Sequence, residues 1–96
     1  MISRNDIILK LKELKPLLLK DHSVSVIGLF GSFSDETFTA ESDIDLLVEF
    51  ERPIGWKFFS LEIYLTKIFD RKIDLVTKNA LKDQIRENIL KQVNYV

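Results

Sequence analysis

Residues 43–50 read DIDLLVEF, and the alternation inside that stretch sets the fold class. Ile44, Leu46, Val48 and Phe50 share one parity, while Asp43, Asp45, Leu47 and Glu49 share the other. Strand side chains alternate between faces, so the first set points into a core and the second lies on a face that is at least partly wet. Upstream, residues 24–30 (VSVIGLF) are short, apolar and β-branched, and predict another strand. Between them, residues 31–42 (GSFSDETFTAES) are small and polar and predict a loop with at most one helical turn. Downstream, Pro53 and Gly55 mark a turn. Phe58, Leu61, Leu65, Ile68 and Phe69 then recur at helical spacing and predict a helix over 56–70. Residues 72–76 (KIDLV) predict a third strand, with Ile73 and Leu75 on one face and Asp74 on the other.

The ends of the chain predict helices. Ser3 and Asp6 form an N-capping pair, and Ile7, Leu11, Leu14 and Leu18 carry a helix over 3–20, with a break or kink expected at Pro16. Asn79 is placed to cap a last helix whose stripe is Leu81, Ile85, Ile89 and Val93. The order helix, strand, loop, strand, helix, strand, helix is that of an α/β or α+β domain with helices on one face of a small sheet. Neither repeat nor linker divides the chain, so residues 1–96 are expected to form one domain.

Composition excludes several classes of function. Fourteen Lys and Arg stand against 15 Asp and Glu, which leaves a net charge of -1 and no basic footprint for nucleic acid. With no cysteine and one histidine, disulfide frames and thiolate metal sites are excluded and a His-rich zinc site is disfavoured. No apolar run approaches the roughly 18 residues of a membrane span. The opening MISRNDIILKLKEL is too charged for a signal-peptide core, so the expected location is the cytoplasm.

The chemistry is expected at Asp43, Asp45 and Asp74. The first two are i and i+2 on one strand, about 6.6–6.8 Å apart at Cα. Carboxylates so placed suit hard cations such as Mg²⁺. Two ions about 3.5–4 Å apart would clamp the attacking and leaving oxygens of a phosphoryl transfer. Asp74 has the same parity and joins them if the two strands pair. Such acids repel one another unless a cation sits between them. Gly31 and Ser32 follow the first strand directly; a glycine there allows close backbone approach, and a hydroxyl with backbone N–H groups can hold phosphate oxygens. A calcium loop of the EF-hand kind is disfavoured, because the sixth-position glycine is missing.

GLFGSF…SDIDLLVEF, with the later DRKIDLVTKNALKDQIRENILKQVNYV, resembles the minimal nucleotidyltransferases of the DNA polymerase β-like superfamily. The resemblance runs over roughly residues 7–96. It implies the nucleotidyltransferase fold, with a small mixed three-stranded sheet and helices mainly on one face. It implies Asp43, Asp45 and Asp74 as ligands of two Mg²⁺ ions and as the catalytic acids. Gly31 and Ser32 become the phosphate contacts, and ATP the substrate. It also implies a partner, a HEPN-domain RNase toxin whose Tyr hydroxyl receives AMP, with this chain as antitoxin in a homo- or hetero-oligomer. Many relatives read GSYARGE where this chain reads GSFSDET, which puts Asp35 and Glu36 in place of an Arg and a Gly. Acids there repel phosphate, and they motivate an alternative: a weakened or inactive enzyme that neutralises the toxin by contact. A plain metal-binding or structural domain is the third reading.

Other residues have plainer expectations. His22 is read as a surface or capping residue. Trp56, Phe58, Phe59 and Tyr64 are read as core or partner surface, and Arg71 and Lys72 as solvated charges able to reach phosphate. Lys10, Lys12, Lys15 and Lys20 form a solvated helix face. Val93, Tyr95 and Val96 dock either on this domain or on a partner.

Overall fold

The computed structural model describes residues 2–35 and 37–96, without the side chain of Asp35. Helix α1 runs from Arg4 to His22 and begins with a reciprocal cap. Asp6 N donates to Ser3 Oγ (3.1 Å), and Ser3 N donates to Asp6 Oδ2 (2.9 Å). These bonds, the backbone one first, hold the Asp6 carboxyl below its ordinary pKa. The expected break at Pro16 is not seen; α1 continues through it to His22. Pro16 removes one backbone bond, but Ile7, Leu11, Leu14 and Leu18 bury on both sides of it and hold the helix to the core. His22 closes α1 and stacks on Tyr64 with ring centroids 5.3 Å apart.

Strand β1 (Val24–Phe30) leads into the single turn α2 (Ser32–Asp35), then β2 (Ile44–Phe50), α3 (Lys57–Phe69), β3 (Ile73–Thr77), α4 (Asp83–Gln92) and β4 (Asn94–Tyr95). Strand β2 thus starts one residue later than its pattern predicts. The sheet order is β3-β2-β1-β4. Strands β1 and β2 pair antiparallel, and β2 pairs β3 in parallel through the crossover helix α3. The sheet has four strands and not the expected three. The added one, β4, is two residues long and pairs antiparallel with Gly28 and Leu29 of β1. So short a strand carries no alternation to read; the pairing creates it. It answers where the tail goes, since Val96 N donates to Ile27 O at 3.0 Å, on this domain.

The main core lies between the sheet and the helices α1 and α3. Ile44, Leu46 and Val48 of β2 are fully buried there, with Leu61 and Leu65 of α3. Each such side chain contributes about 1.5–3 kcal/mol by leaving water. Helix α4 covers part of the opposite face, where Leu47, Phe30 and Leu81 form a second cluster flanked by Ile89 and Val93. Within the predicted stripe Ile85 stays exposed. Asn79 does not cap α4, because a 3₁₀ turn occupies Lys78–Ala80 and Lys82 becomes the N-cap, with no side-chain cap bond. The outer side of α3 presents Trp56, Phe59 and Ile63, exposed by 84%, 54% and 57%. Among the described residues no helix is long and apolar enough to cross a membrane.

Candidate active site

Three chain segments meet where β1 ends and β2 and β3 begin. In the parallel ladder Asp45 stands directly beside Asp74, and on its other side Asp45 faces Phe30 of β1. Gly31 follows Phe30 at φ +73°, in the left-handed region. A Cβ on Gly31 would overlap the Asp45 carboxylate, so the glycine leaves room for that acid. Ser32 opens α2, and its carbonyl accepts from Thr37 N at 3.0 Å.

The Asp45 carboxyl is pushed up to about 6 from 3.8. Burial is the largest cause, followed by the charge of Asp74, a side-chain hydrogen bond with Asp74, and the charge of Asp43. Two carboxyls that are neighbours across the ladder favour a proton or a cation between them. An oxygen-only donor set of this kind suits Mg²⁺. Asp43 lies just before β2 and leans towards Lys72, with Nζ 3.7 Å from Oδ2. Accordingly, among the described residues no three acidic or imidazole groups already close into a metal cage. The structure therefore brings Gly31, Asp45 and Asp74 together and leaves Asp43 at the rim. Glu36 and the Asp35 side chain, the acids that depart from the GSYARGE pattern, lie outside the described residues.

A family model described as polymerase beta, nucleotidyltransferase, matches residues 12–96. The chain belongs to this family. Among nucleotidyltransferase relatives, the protein adenylyltransferase MntA of Thermococcus cleftensis is 40% identical over 83 residues, covering 85% of this chain and 84% of that protein. A crystal structure of a toxin-antitoxin with AMP-PNP contains a chain that superposes with TM-score 0.68 at 25% identity, covering 98% of this chain and 72% of that one. The complex of tri-AMPylated Shewanella oneidensis HEPN toxin with MNT antitoxin gives TM-score 0.58 at 24% identity, covering 96% and 66%, and shows likeness of fold.

Two residues on the turns around this candidate site escape sequence reading. Ser34, buried among α2, α4 and β4, donates from Oγ to Gln92 O (2.7 Å) and accepts from Asn94 Nδ2. Its carbonyl accepts from Arg4 Nη1 at 3.1 Å. No local pattern predicts these partners, since they come from both ends of the chain. Arg71, expected as a solvated charge, instead donates to two loop carbonyls, Ala40 O (2.9 Å) and Ser42 O (2.8 Å). The available signal was an Arg, with its rigid fork, directly ahead of an acid-bearing strand. Lys72, in contrast, is exposed.

Proposed function

We propose that this chain transfers AMP from ATP to a hydroxyl, a Tyr in our reading, of a cognate HEPN toxin, and so acts as its antitoxin in the cytoplasm. One observation carries the proposal: half-buried Asp45 and exposed Asp74 stand side by side in the β2–β3 register, where like charges call for a divalent cation. The family supports nucleotidyl transfer, and the toxin-antitoxin neighbours support the partner.

Asp43, Asp45 and Asp74 would hold two Mg²⁺ ions. Bound Mg²⁺ offsets the charge of the triphosphate and of the departing pyrophosphate. The acceptor oxygen forms a bond to the α-phosphorus as the bond to the β-phosphate bridging oxygen breaks. Pyrophosphate leaves with the bonding pair, and the hydroxyl proton passes to Asp74. Gly31 keeps the Asp45 carboxylate unobstructed, and Ser32 with the turn behind it contacts the phosphates. Residues 1–96 act as one domain, and the near-neutral surface fits a protein acceptor better than nucleic acid.

The test incubates the protein with Mg²⁺, ATP and the toxin and reads AMP adducts on the toxin by mass spectrometry. Adducts are expected with wild type and not with Asp43→Asn or Asp45→Asn. Absence of adducts with every nucleoside triphosphate, or their survival in both variants, overturns the proposal. Protection from the toxin by a folded double variant would instead assign neutralisation to contact, the reading that Asp35 and Glu36 motivate.

A further inference from the structure

Arg71 joins segments that are far apart in sequence. Its Nη1 donates to Ala40 O at 2.9 Å and to Ser42 O at 2.8 Å, so it grips the turn that delivers the chain to Asp43. Its guanidinium carbon lies 5.3 Å from the centre of the Phe33 ring, in the turn that begins with Ser32. Phe33 is fully buried and stacks on Phe38 at 4.4 Å, which draws the start of the same loop against α2. Arg71 itself lies two residues ahead of β3 and three ahead of Asp74. Next to it, Ile44 N donates to Lys72 O at 3.0 Å, which zips β2 to β3 between the acids.

The 37–42 loop is closed on itself by Thr39 and Ser42: Thr39 N donates to Ser42 Oγ (2.8 Å), and Ser42 N donates to Thr39 O (3.1 Å). Those bonds shape the turn without fixing where it sits relative to β3. A planar guanidinium can take two carbonyls and lie on a ring at once, whereas an ammonium is a point charge on a flexible stem. We propose that Arg71 is a positioning residue of the nucleotidyl-transfer site, a clasp that holds the turn leading to Asp43 against the start of β3 and holds the Ser32 turn beside it. Its role in transfer rests on the function proposed above; its role in ordering the loop does not.

The experiment compares Arg71→Met, Arg71→Lys and Lys72→Gln with wild type in two readouts. In amide hydrogen exchange, residues 37–42 of Arg71→Met exchange at least tenfold faster than in wild type, and Arg71→Lys recovers less than half of that loss. Lys72→Gln, which removes a neighbouring charge but not the clasp, stays within twofold. Exchange within twofold of wild type in Arg71→Met, or equal loosening in Lys72→Gln, overturns the clasp. In AMP transfer to the toxin, Arg71→Met raises KM for Mg²⁺-ATP at least fivefold and changes kcat less than threefold. A fall in kcat at unchanged KM overturns the positioning role. Should wild type transfer nothing, the proposed function fails, and the exchange data still decide the clasp.

Discussion

The two ends of β2 carry acids of the same parity in different surroundings. At the start, Asp45 has Asp74 beside it on β3 and Gly31 behind it, and its carboxyl is pushed up to about 6. Near the other end Glu49 points to the same face, but its neighbour across β1 is Val26, and the β3 ladder has already ended at Val48 and Thr77. That end borders an open groove of about 420 Å³ lined by residues such as Glu49, Arg52, Thr77 and Lys78. This groove lies away from the crowded acids. Parity assigns an acid to a face, whereas register decides what stands beside it. The proposed chemistry follows the register, and the groove does not mark it.

The sharpest way to break this contrast is to neutralise one acid at each end. Asp45→Asn is expected to lower the AMP-transfer rate on the order of 10³-fold, the loss of several kcal/mol of charge stabilisation. Glu49→Gln should leave that rate within roughly twofold. Comparable losses in single-turnover assays would mean that the face as a whole, and not the matched register, does the work.

Next in size comes Gly31→Ala. It strains a residue at φ +73° and forces a methyl group into the Asp45 carboxylate. A loss of about 1–3 kcal/mol in urea unfolding is expected, with a lower transfer rate. Gly55→Ala has similar strain, at φ +54°, but open space around the new Cβ. Its cost should be about 1 kcal/mol, with transfer unchanged. Equal effects of the two would show that backbone strain alone is felt.

A smaller effect is expected from pH in metal-free protein. The folded Asp45 carboxyl sits at about 6 against 3.8 unfolded, so the folded state holds the proton more tightly. Its contribution to stability is present in full below 3.8 and is lost as pH rises through about 6. A tenfold difference in proton affinity corresponds to about 1.4 kcal/mol, and solvent screening at this half-buried site brings the total to the order of 1–2 kcal/mol. Unfolding free energies of wild type and Asp45→Asn, compared from pH 4 to 8, should diverge in favour of the variant above pH 6. Added Mg²⁺ should narrow that gap at pH 7. Parallel curves would show that Asp45 is not crowded in solution.

The smallest effect is the stability of Glu49→Gln, expected within about 0.5 kcal/mol of wild type at pH 7. A larger change in thermal unfolding would show that the quiet end of β2 also carries a matched interaction.

Much of this is legible in the sequence because the deciding residues obey local periods. Ile44, Leu46 and Val48 alternate as a half-buried strand must, and Leu61 and Leu65 recur as a buried helix face must. Asp43, Asp45 and Asp74 can be put on one face by the same logic. Their proximity cannot, because it depends on Ile44 pairing with Ile73 and not with a neighbour, a property of the assembled sheet. Strand β4 and the start of α4 escape for a related reason. A two-residue strand exists only through β1, and a 3₁₀ turn takes the place where Asn79 would cap. Ser34 and Arg71 look like ordinary polar residues in sequence, and their roles come from carbonyls of distant segments.

The bonds of Ser34 to Gln92 and Asn94 have a kinetic meaning. They span 58 and 60 residues, and they tie the turn between β1 and β2 to α4 and β4. Contacts this long must close a large loop before they return any energy, so they form late. During synthesis β1, α2 and β2 leave the ribosome well before residues 92–94. A nascent chain can thus bury its first hydrophobic face while the turn beside Asp45 still lacks its final anchors. Asp45 takes its place on β2 early, its pairing with Asp74 waits for β3, and the anchoring of the α2 turn waits longer still, for residues 92–94.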